Sequence, residues 1–264
     1  MMKFLMCHPQ HYDVNYIINP WMKPQTPIDT SLCIHQWNRL KQTIELCGAE
    51  VMVIEGDKRW PDMVFTANAG YVIHNAVILS YFKHQERQGE TPIMKQWFES
   101  HGYNIISLPQ DQGQHFEGEG DLCCSKETMF AGYGFRSDRA CHKLIRSHLS
   151  TKNHLELQLI DPHFYHLDTC FCLLNDTLAL RFPGAFDSAS NQLIEQHIEC
   201  LDICEEEAHQ FACNAVVIDR HVIVPGHCPK TQKLLEAHGF TTHSCDLSQF
   251  MLAGGAAKCL SLKL

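Results

Sequence analysis

A cysteine near the end of the 264-residue sequence is the first residue that could carry chemistry. Cys259 follows the small-residue run Ala253–Lys258 and precedes alternating leucines at positions 260, 262 and 264. Small residues allow a ligand or backbone to approach closely, and the alternation predicts a half-buried strand. A thiol at the mouth of such a loop can attack a bound molecule. Because the sequence has 14 cysteines, a buried free thiol is the alternative interpretation.

Three segments far upstream supply the groups that such a thiol would need. They contain the carboxamide of Asn68, the carboxylates of Glu117 and Asp168, and the imidazole of His166. A cysteine and a histidine can perform nucleophilic catalysis, but nearby carboxylates raise the thiol pKa unless a cationic substrate restores the charge balance. A planar cation that several carboxylates bind at once is a guanidinium. The alternatives are a solvated turn for Glu117, a turn cap for Asp168 and a strand-end histidine for His166.

These segments resemble, in order, the motifs of the guanidine-modifying superfamily. The matching segments are Phe65–Asn68 (FTAN), Phe116–Asp121 (FEGEGD), His166–Thr169 (HLDT) and Gly254–Cys259 (GGAAKC). The superfamily includes arginine deiminases, dimethylarginine dimethylaminohydrolases, amidinotransferases and arginine dihydrolases, which share the pentein fold. The resemblance spans essentially the whole sequence. It implies a single α/β catalytic domain over residues 1–264, a pentein propeller of five ββαβ units around a central active site.

The resemblance also implies roles for individual residues. Cys259 would be the nucleophile that attacks the guanidinium carbon, and His166 would protonate the departing amine and later activate water. Glu117, the third member of the catalytic set, and Asp168 would bind guanidinium nitrogens.

Two arginines resemble the groups that hold the substrate's α-carboxylate in this superfamily. They are Arg87 and Arg136, and the bidentate geometry of arginine with a carboxylate supports that role. A surface position is the alternative interpretation for each. Asn19, within Ile18–Trp21, resembles a substrate-binding residue of the dihydrolase subgroup.

One position departs from the arginine deiminase pattern. Those enzymes end the first motif in F-T-R-D, whereas this sequence has Asn68, as in the arginine dihydrolases. An ionised Asp only accepts hydrogen bonds, while Asn can also donate to a carbonyl oxygen. Asn68 could therefore retain a neutral ureido group for a second attack. The alternative is a one-step enzyme in which Asn68 orders a loop.

The secondary-structure elements predicted around these residues repeat along the sequence. Pairs of apolar strands are predicted to start at 71, 122, 170 and 215, at intervals of 51, 48 and 45 residues. Helices are predicted over 30–47, 92–101, 138–148, 188–199 and 229–238, and Gly48, Gly102 and Gly239 read as C-terminal caps. A fifth unit needs strands from both ends, Lys3–Cys7 and Leu260–Leu264, which closes a ring. An ordinary α/β domain with coincidental spacing is the alternative.

Composition narrows the class of protein. A net charge of −9 and a pI near 6.0 argue against a nucleic-acid partner. The sequence has no run of 18 apolar residues, so no membrane span is predicted. The start of the sequence is too quickly polar for a signal peptide, and 14 cysteines then indicate a reducing, cytoplasmic location. The H-x-x-H pairs His8/His11 and His163/His166 lack cysteine partners, so neither a metal nor a cofactor is expected. The sequence is compatible with a homo-oligomer.

The favoured hypothesis is an arginine dihydrolase, which converts arginine to ornithine, ammonia and carbon dioxide. The first alternative is a dimethylarginine dimethylaminohydrolase, which releases citrulline and methylamines. An alternative from another class is a non-catalytic pentein ring that binds a partner. The intact set of Cys259, His166 and Glu117 argues against that last hypothesis, because a binding ring needs no catalytic thiol.

Overall fold

Five small sheets of the same design make up the fold. The computed structural model describes residues 1–109 and 114–264, and within them fifteen strands form five three-stranded sheets. The strands are β1 (Lys3–Cys7), β2 (Glu50–Ile54), β3 (Gly70–Ile73), β4 (Ala76–Leu79), β5 (Asn104–Ile106), β6 (Leu122–Cys124), β7 (Thr128–Tyr133), β8 (Asn153–Gln158), β9 (Phe171–Leu173), β10 (Leu178–Arg181), β11 (Glu199–Asp202), β12 (Val216–Ile218), β13 (His221–Pro225), β14 (Thr241–Cys245) and β15 (Leu262–Lys263).

In each sheet, a helix of at least eight residues connects the central strand to its parallel neighbour. The helices of the described residues are α1 (Thr30–Leu46), α2 (Gln85–Gln88), α3 (Glu90–Ser100), α4 (Arg139–Arg146), α5 (Ser188–His197), α6 (Glu205–Ala208), α7 (Pro229–Ala237) and α8 (Ser248–Met251). None of them combines the length and apolar character that a membrane crossing requires. The four-residue helices α2, α6 and α8 were not predicted, because they are too short to show a 3.6-residue period.

Every sheet has the same topology. Its central strand runs antiparallel to one neighbour and parallel to the other, which follows the crossover helix, as in β3–β4–α3–β5. The sheets β6–β7–β8, β9–β10–β11 and β12–β13–β14 repeat this pattern. The predicted series of five ββαβ units is confirmed.

The fifth unit joins the two ends of the chain, as predicted. Phe4 of β1 lies opposite Lys263 of β15 in an antiparallel pair and opposite Val51 of β2 in a parallel pair. The last strand is shorter than the predicted Leu260–Leu264. Leu260 and Ser261 instead complete a turn, since their amides donate to the carbonyls of Ala256 at 3.1 Å and Lys258 at 3.0 Å.

Local chemistry sets the bounds of the long helices. The Asp29 side chain accepts the amide of Leu32 at 2.9 Å and caps the start of α1. The predicted C-terminal caps are confirmed, because Gly48, Gly102 and Gly239 have φ values of 92°, 82° and 81°, which favour glycine.

The apolar core anchors the central strand of each unit. Each central strand has at least two fully buried residues, among them Leu5, Val77, Phe130, Leu180 and Ile223. Strands buried on both faces give the segments before the sheets a rigid support. Those segments carry the polar residues described next.

Candidate active site

Each of the five units has buried polar side chains shortly before its first strand, and one from each unit belongs to the network described below. The five residues are Asn68, Asp121, Asp168, Asn214 and Cys259. Equivalent positions in a closed ring of units face a shared centre, where binding sites commonly form. The hydrogen bonds below connect these segments to one another.

Cys259 is held between two of these residues. Its Sγ donates to Oδ2 of Asp168 at 3.2 Å and accepts from Nδ2 of Asn214 at 3.1 Å. Oδ1 of Asn214 in turn accepts the amides of Ala256 and Cys259, both at 3.1 Å. One side chain thus fixes both the loop before the cysteine and its sulfur.

The charge state of the Cys259 thiol follows from its burial and from the neighbouring Asp168 carboxylate. Burial raises the pKa of Cys259 well above its usual value, and the Asp168 carboxylate raises it further. Burial also raises the pKa of Asp168 to about 6, although His166 and Lys258 oppose the shift. Both effects favour a protonated thiol, and a cation bound beside Asp168 would favour the thiolate.

His166 and Glu117 form a second buried pair. Oε2 of Glu117 lies 2.8 Å from Nε2 of His166 and accepts from Nη1 of Arg136 at 2.9 Å. Burial alone would raise the pKa of Glu117, but Arg136 and His166 outweigh it and hold that pKa well below its usual range. Glu117 is therefore an anion that favours a proton on Nε2 of His166. Among the described residues, Nδ1 of His166 is buried and has no hydrogen-bond partner, so it could exchange a proton with a ligand.

Asn68 has a fixed orientation. Its Oδ1 accepts from Nη1 of Arg87 at 2.8 Å, and its Nδ2 donates to the carbonyl of Glu117 at 3.4 Å. Because an arginine only donates, the amide must turn its oxygen toward Arg87 and its NH₂ group the other way. Gly120 leaves room for that group, since a Cβ there would lie 2.3 Å from Nδ2 of Asn68.

Arg87 is buried and strongly paired. Its Nε and Nη2 each donate to the carboxylate of Glu90 at 2.8 Å, and Nη2 also donates to the carbonyl of Asp62 at 3.2 Å. The guanidinium also lies 4.5 Å from the ring centroid of Phe82. Burial raises the pKa of Glu90 to about 7 despite Arg87. These contacts fix the arginine next to Asn68.

Arg136 occupies a similar environment. Besides Glu117 it bonds the carbonyl of Ile18 at 3.1 Å, and it stacks 4.6 Å from the ring centroid of Tyr165. Asn19, the next residue after Ile18, donates from Nδ2 to the carbonyl of Ala253 at 2.9 Å. The segment around Asn19 therefore bridges the Arg136 side of the site and the loop that carries Cys259.

Two carboxylates of the FEGEGD motif have other partners. Asp121 accepts the amides of Leu167 and Ser137, both at 3.1 Å, and so orders the segment that carries His166. Glu119 pairs with Nζ of Lys258 at 2.5 Å. Glu119 and Lys258 also line a cavity of about 190 Å³ that reaches Asp168 but not Cys259 or His166.

Comparisons with known proteins place the chain in a family. The family described as "N,N dimethylarginine dimethylhydrolase, eukaryotic" matches residues 5–264. The chain belongs to this family. One relative of this family member is the bifunctional arginine dihydrolase/ornithine cyclodeaminase ArgZ of Synechocystis. It is 47% identical, and the match covers 99% of the chain and 37% of the relative. Another is the N(G),N(G)-dimethylarginine dimethylaminohydrolase of Mycobacterium tuberculosis, 35% identical over 99% of the chain and 85% of the relative.

Solved structures of the N-terminal domain of ArgZ superpose on this dimethylhydrolase-family chain with a TM-score of 0.94 at 44% identity. A cysteine-to-serine variant bound to substrate is matched over 100% of the chain and 98% of the solved one, and an asparagine-to-serine variant covalently bound to a reaction intermediate over 100% and 97%. The chain thus has the pentein fold that its sequence predicted. It spans little more than a third of the full length of ArgZ.

Two site residues of this dimethylhydrolase-family chain were not predicted. Asn214 lies at the one unit junction that the motifs leave out, so the repeat itself was the signal that could have found it. Asp62 precedes the FTAN motif and is buried, and burial raises its pKa although Arg87 opposes the shift. The eight predicted site residues lie in the segments just described, and their roles in a reaction stay predictions.

Proposed function

We propose that this chain hydrolyses the guanidino group of arginine through a covalent intermediate on Cys259, as an arginine dihydrolase that forms ornithine, ammonia and carbon dioxide. The observation that carries the proposal is the buried thiol 3.2 Å from the Asp168 carboxylate. An enclosed thiol beside an anion suits a cationic substrate, since the cation would supply the missing charge balance. The 47% identity with ArgZ supports arginine as that cation.

In the first half of the reaction, the guanidinium binds between Asp168 and Glu117. The Cys259 thiol loses its proton to solvent as the cation binds, its sulfur forms a bond to the guanidino carbon, and a C–N bond breaks. His166 gives its proton to the departing ammonia. His166 then takes a proton from water, which attacks the same carbon and displaces the sulfur. Citrulline is the product at this stage.

In the second half, Cys259 attacks the ureido carbon of citrulline and a second ammonia leaves. Water then displaces the sulfur and leaves a carbamate on the δ-nitrogen, which loses carbon dioxide to give ornithine. The balance is arginine and two waters to ornithine, two ammonia and one carbon dioxide. This sequence requires that citrulline stays in the site between the two halves.

Asn68 supports such retention. Oδ1 of Asn68 accepts from Arg87, and one N–H of Nδ2 donates to the Glu117 carbonyl. The second N–H of Nδ2 can therefore donate to a ureido oxygen. A carboxylate at this position would offer only oxygen atoms and would repel that group.

A second candidate function is favoured by the family description itself. A dimethylarginine dimethylaminohydrolase would use the same thiol but expel methylated amines and stop at citrulline, and the relative from Mycobacterium tuberculosis bears that name. The two candidates differ in the leaving group and in the number of hydrolysis steps.

Product analysis separates the candidates. The purified chain is incubated with arginine, citrulline or asymmetric dimethylarginine, and amino acids and amines are separated by chromatography. Ornithine from arginine supports the dihydrolase, whereas dimethylamine from dimethylarginine without ornithine from arginine supports the alternative. Cys259→Ser should be inactive and Cys204→Ser, at an exposed cysteine, fully active. A folded parent that turns over none of the three substrates refutes both candidates and favours the binding ring.

We further infer that residues 1–264 act as one catalytic domain, because all the proposed active-site side chains come from the five units of one ring. The free thiols of all 14 cysteines suit a reducing compartment, which supports a cytoplasmic location.

A further inference from the structure

We propose that Cys47, His221 and His243 form a zinc-binding site that is separate from the proposed active site. One ligand atom from each of these residues lies within 4.8 Å of the other two. None of the three residues contributes to the site built around Cys259. The described residues contain no other group of three His, Cys, Asp or Glu side chains with this arrangement.

The two histidines meet because of strand register. His221 begins β13, and Ile223 of that strand lies opposite His243 of β14 in the parallel pair. Alternate residues of a strand share a face, so His221 and Ile223 point the same way. His243, which lies opposite Ile223, points to that same face of the sheet. Nδ1 of His221 lies 3.0 Å from Nε2 of His243.

The cysteine reaches the histidines through the packing of α1 on β14. Thr43 of α1 contacts Cys245 of β14, with 3.5 Å between Oγ1 and Sγ. Cys47 lies one helical turn beyond Thr43, and His243 lies two residues before Cys245 on the same face of the strand. The contact between Thr43 and Cys245 therefore aligns Cys47 with His243.

The distance between the two ring nitrogens suits a tetrahedral metal. Zinc binds imidazole nitrogen at about 2.0–2.1 Å and thiolate sulfur at about 2.3 Å, which separates two nitrogen ligands by roughly 3.3 Å and sulfur from nitrogen by roughly 3.6 Å. The two ring nitrogens need to part by only a few tenths of an ångström. Both histidines are half-buried, so water can fill the fourth position.

The ligand set and its surroundings favour a borderline-soft cation. One thiolate and two imidazoles suit zinc, whereas magnesium and calcium prefer oxygen ligands. Cys47 also caps the C-terminus of α1, whose 17 residues place partial negative charge at this end. On binding, the metal takes lone pairs from both imidazoles and the thiolate. The thiol proton goes to solvent, and the neutral cluster becomes singly positive.

Sequence spacing could not suggest this site, and no metal was expected from the sequence. Cys47 belongs to the fifth unit, which the two ends of the chain share, while the histidines lie on two strands of another unit, so no short motif contains all three residues. Only the packing of α1 against β14 brings them together.

Zinc titration of the metal-free protein tests the proposal. The experiment uses the Cys259→Ser variant, so that the proposed catalytic thiol does not bind the metal, with a chromophoric chelator as competitor. One equivalent of zinc should bind with a Kd tighter than about 1 µM. The double variant His221→Gln/His243→Gln in the same background should bind at least about 100-fold more weakly. A matched control, His197→Gln/His238→Gln at two exposed histidines, should bind like its parent.

Cobalt substitution tests the sulfur ligand. The cobalt-loaded protein should show a thiolate-to-cobalt charge-transfer band that Cys47→Ser abolishes and Cys245→Ser retains. Circular dichroism verifies the fold of each variant, and His221→Gln alone replaces the double variant if the latter does not fold. Unchanged zinc affinity in the folded histidine variant overturns the proposal, as does the lack of a zinc site tighter than about 1 µM in the Cys259→Ser background.

Discussion

Asn214 donates a hydrogen bond from Nδ2 to the sulfur of Cys259 at 3.1 Å. The same side chain accepts the amide of Cys259 at 3.1 Å and donates to the carbonyl of Asp168, also at 3.1 Å. Asn214 therefore links the thiol to the carboxylate segment. Its bond to sulfur lowers the thiol pKa and so works against the effect of burial.

Replacing the donor of Asn214 should impair the thiol selectively. Asn214→Asp keeps an acceptor for the amides of Ala256 and Cys259 but removes the N–H that faces the sulfur. We expect thiolate formation to move to higher pH, and alkylation of Cys259 by iodoacetamide at pH 7 to slow at least about 10-fold. Asn175→Asp, in a turn, is the matched control. An unchanged alkylation profile in the folded variant would remove Asn214 from this positioning role.

His166→Ala should lower kcat more than it changes KM. The imidazole is paired with Glu117 at 2.8 Å, and general acid–base groups typically contribute about 10²- to 10⁴-fold. Steady-state kinetics with arginine measure the effect, and His163→Ala, three residues away, is the control. A kcat within twofold of the parent value would exclude His166 from proton transfer.

Binding of arginine should weaken in acid. Burial raises the pKa of Asp168 to about 6, so this carboxylate loses its charge as the pH falls through 6. Affinity for a guanidinium should then decrease, toward tenfold per pH unit, because the charged form is the one that binds. Calorimetry with the Cys259→Ser variant between pH 5 and 8 measures the effect without turnover. Asp168→Asn in the same background should bind weakly at every pH, and pH-independent binding by its parent would contradict the assignment.

Arg87 and Arg136 should distinguish substrates that carry an α-carboxylate from those that do not. Lysine is the better replacement than alanine, because each arginine is buried against a carboxylate and removal of one partner of such a pair is strongly destabilising. In Arg87→Lys and Arg136→Lys, kcat/KM should fall further for arginine than for agmatine, which lacks the carboxylate. Equal losses on both substrates would refute a role of the two arginines in binding the α-carboxylate. The arginines would then only support Asn68 and Glu117.

The five-unit fold was predictable because its signals are local and repeated. Each unit has an apolar strand pair and an amphipathic helix, and glycine caps such as Gly48 mark where several helices end. The candidate site was predictable in outline, because polar residues such as Asn68 and Asp168 interrupt apolar segments at four of the five unit junctions.

Side-chain pairing was not predictable, since it depends on contacts between units. The sequence contains no signal that Asn214 donates to the sulfur of Cys259, or that Asp121 accepts the amide of Leu167. The last strand was predicted too long because a hydrogen-bonded turn at Leu260 breaks an otherwise regular alternation. Such competition between a turn and a strand is decided by tertiary contacts rather than by the apolar pattern.

The central claim is that one site hydrolyses arginine twice, and the citrulline-to-ornithine ratio in the products of Asn68→Asp tests it most directly. An aspartate would still accept from Arg87, but it would turn an oxygen toward the Glu117 carbonyl and offer no hydrogen to a ureido oxygen. An unmatched polar contact in a closed site costs about 1–3 kcal/mol, which favours escape of citrulline. Product chromatography after incubation with arginine should show ornithine with almost no citrulline for the parent, and a strongly raised citrulline fraction for the variant. A parent that releases citrulline as its end product would contradict the account and make this chain a one-step guanidine hydrolase.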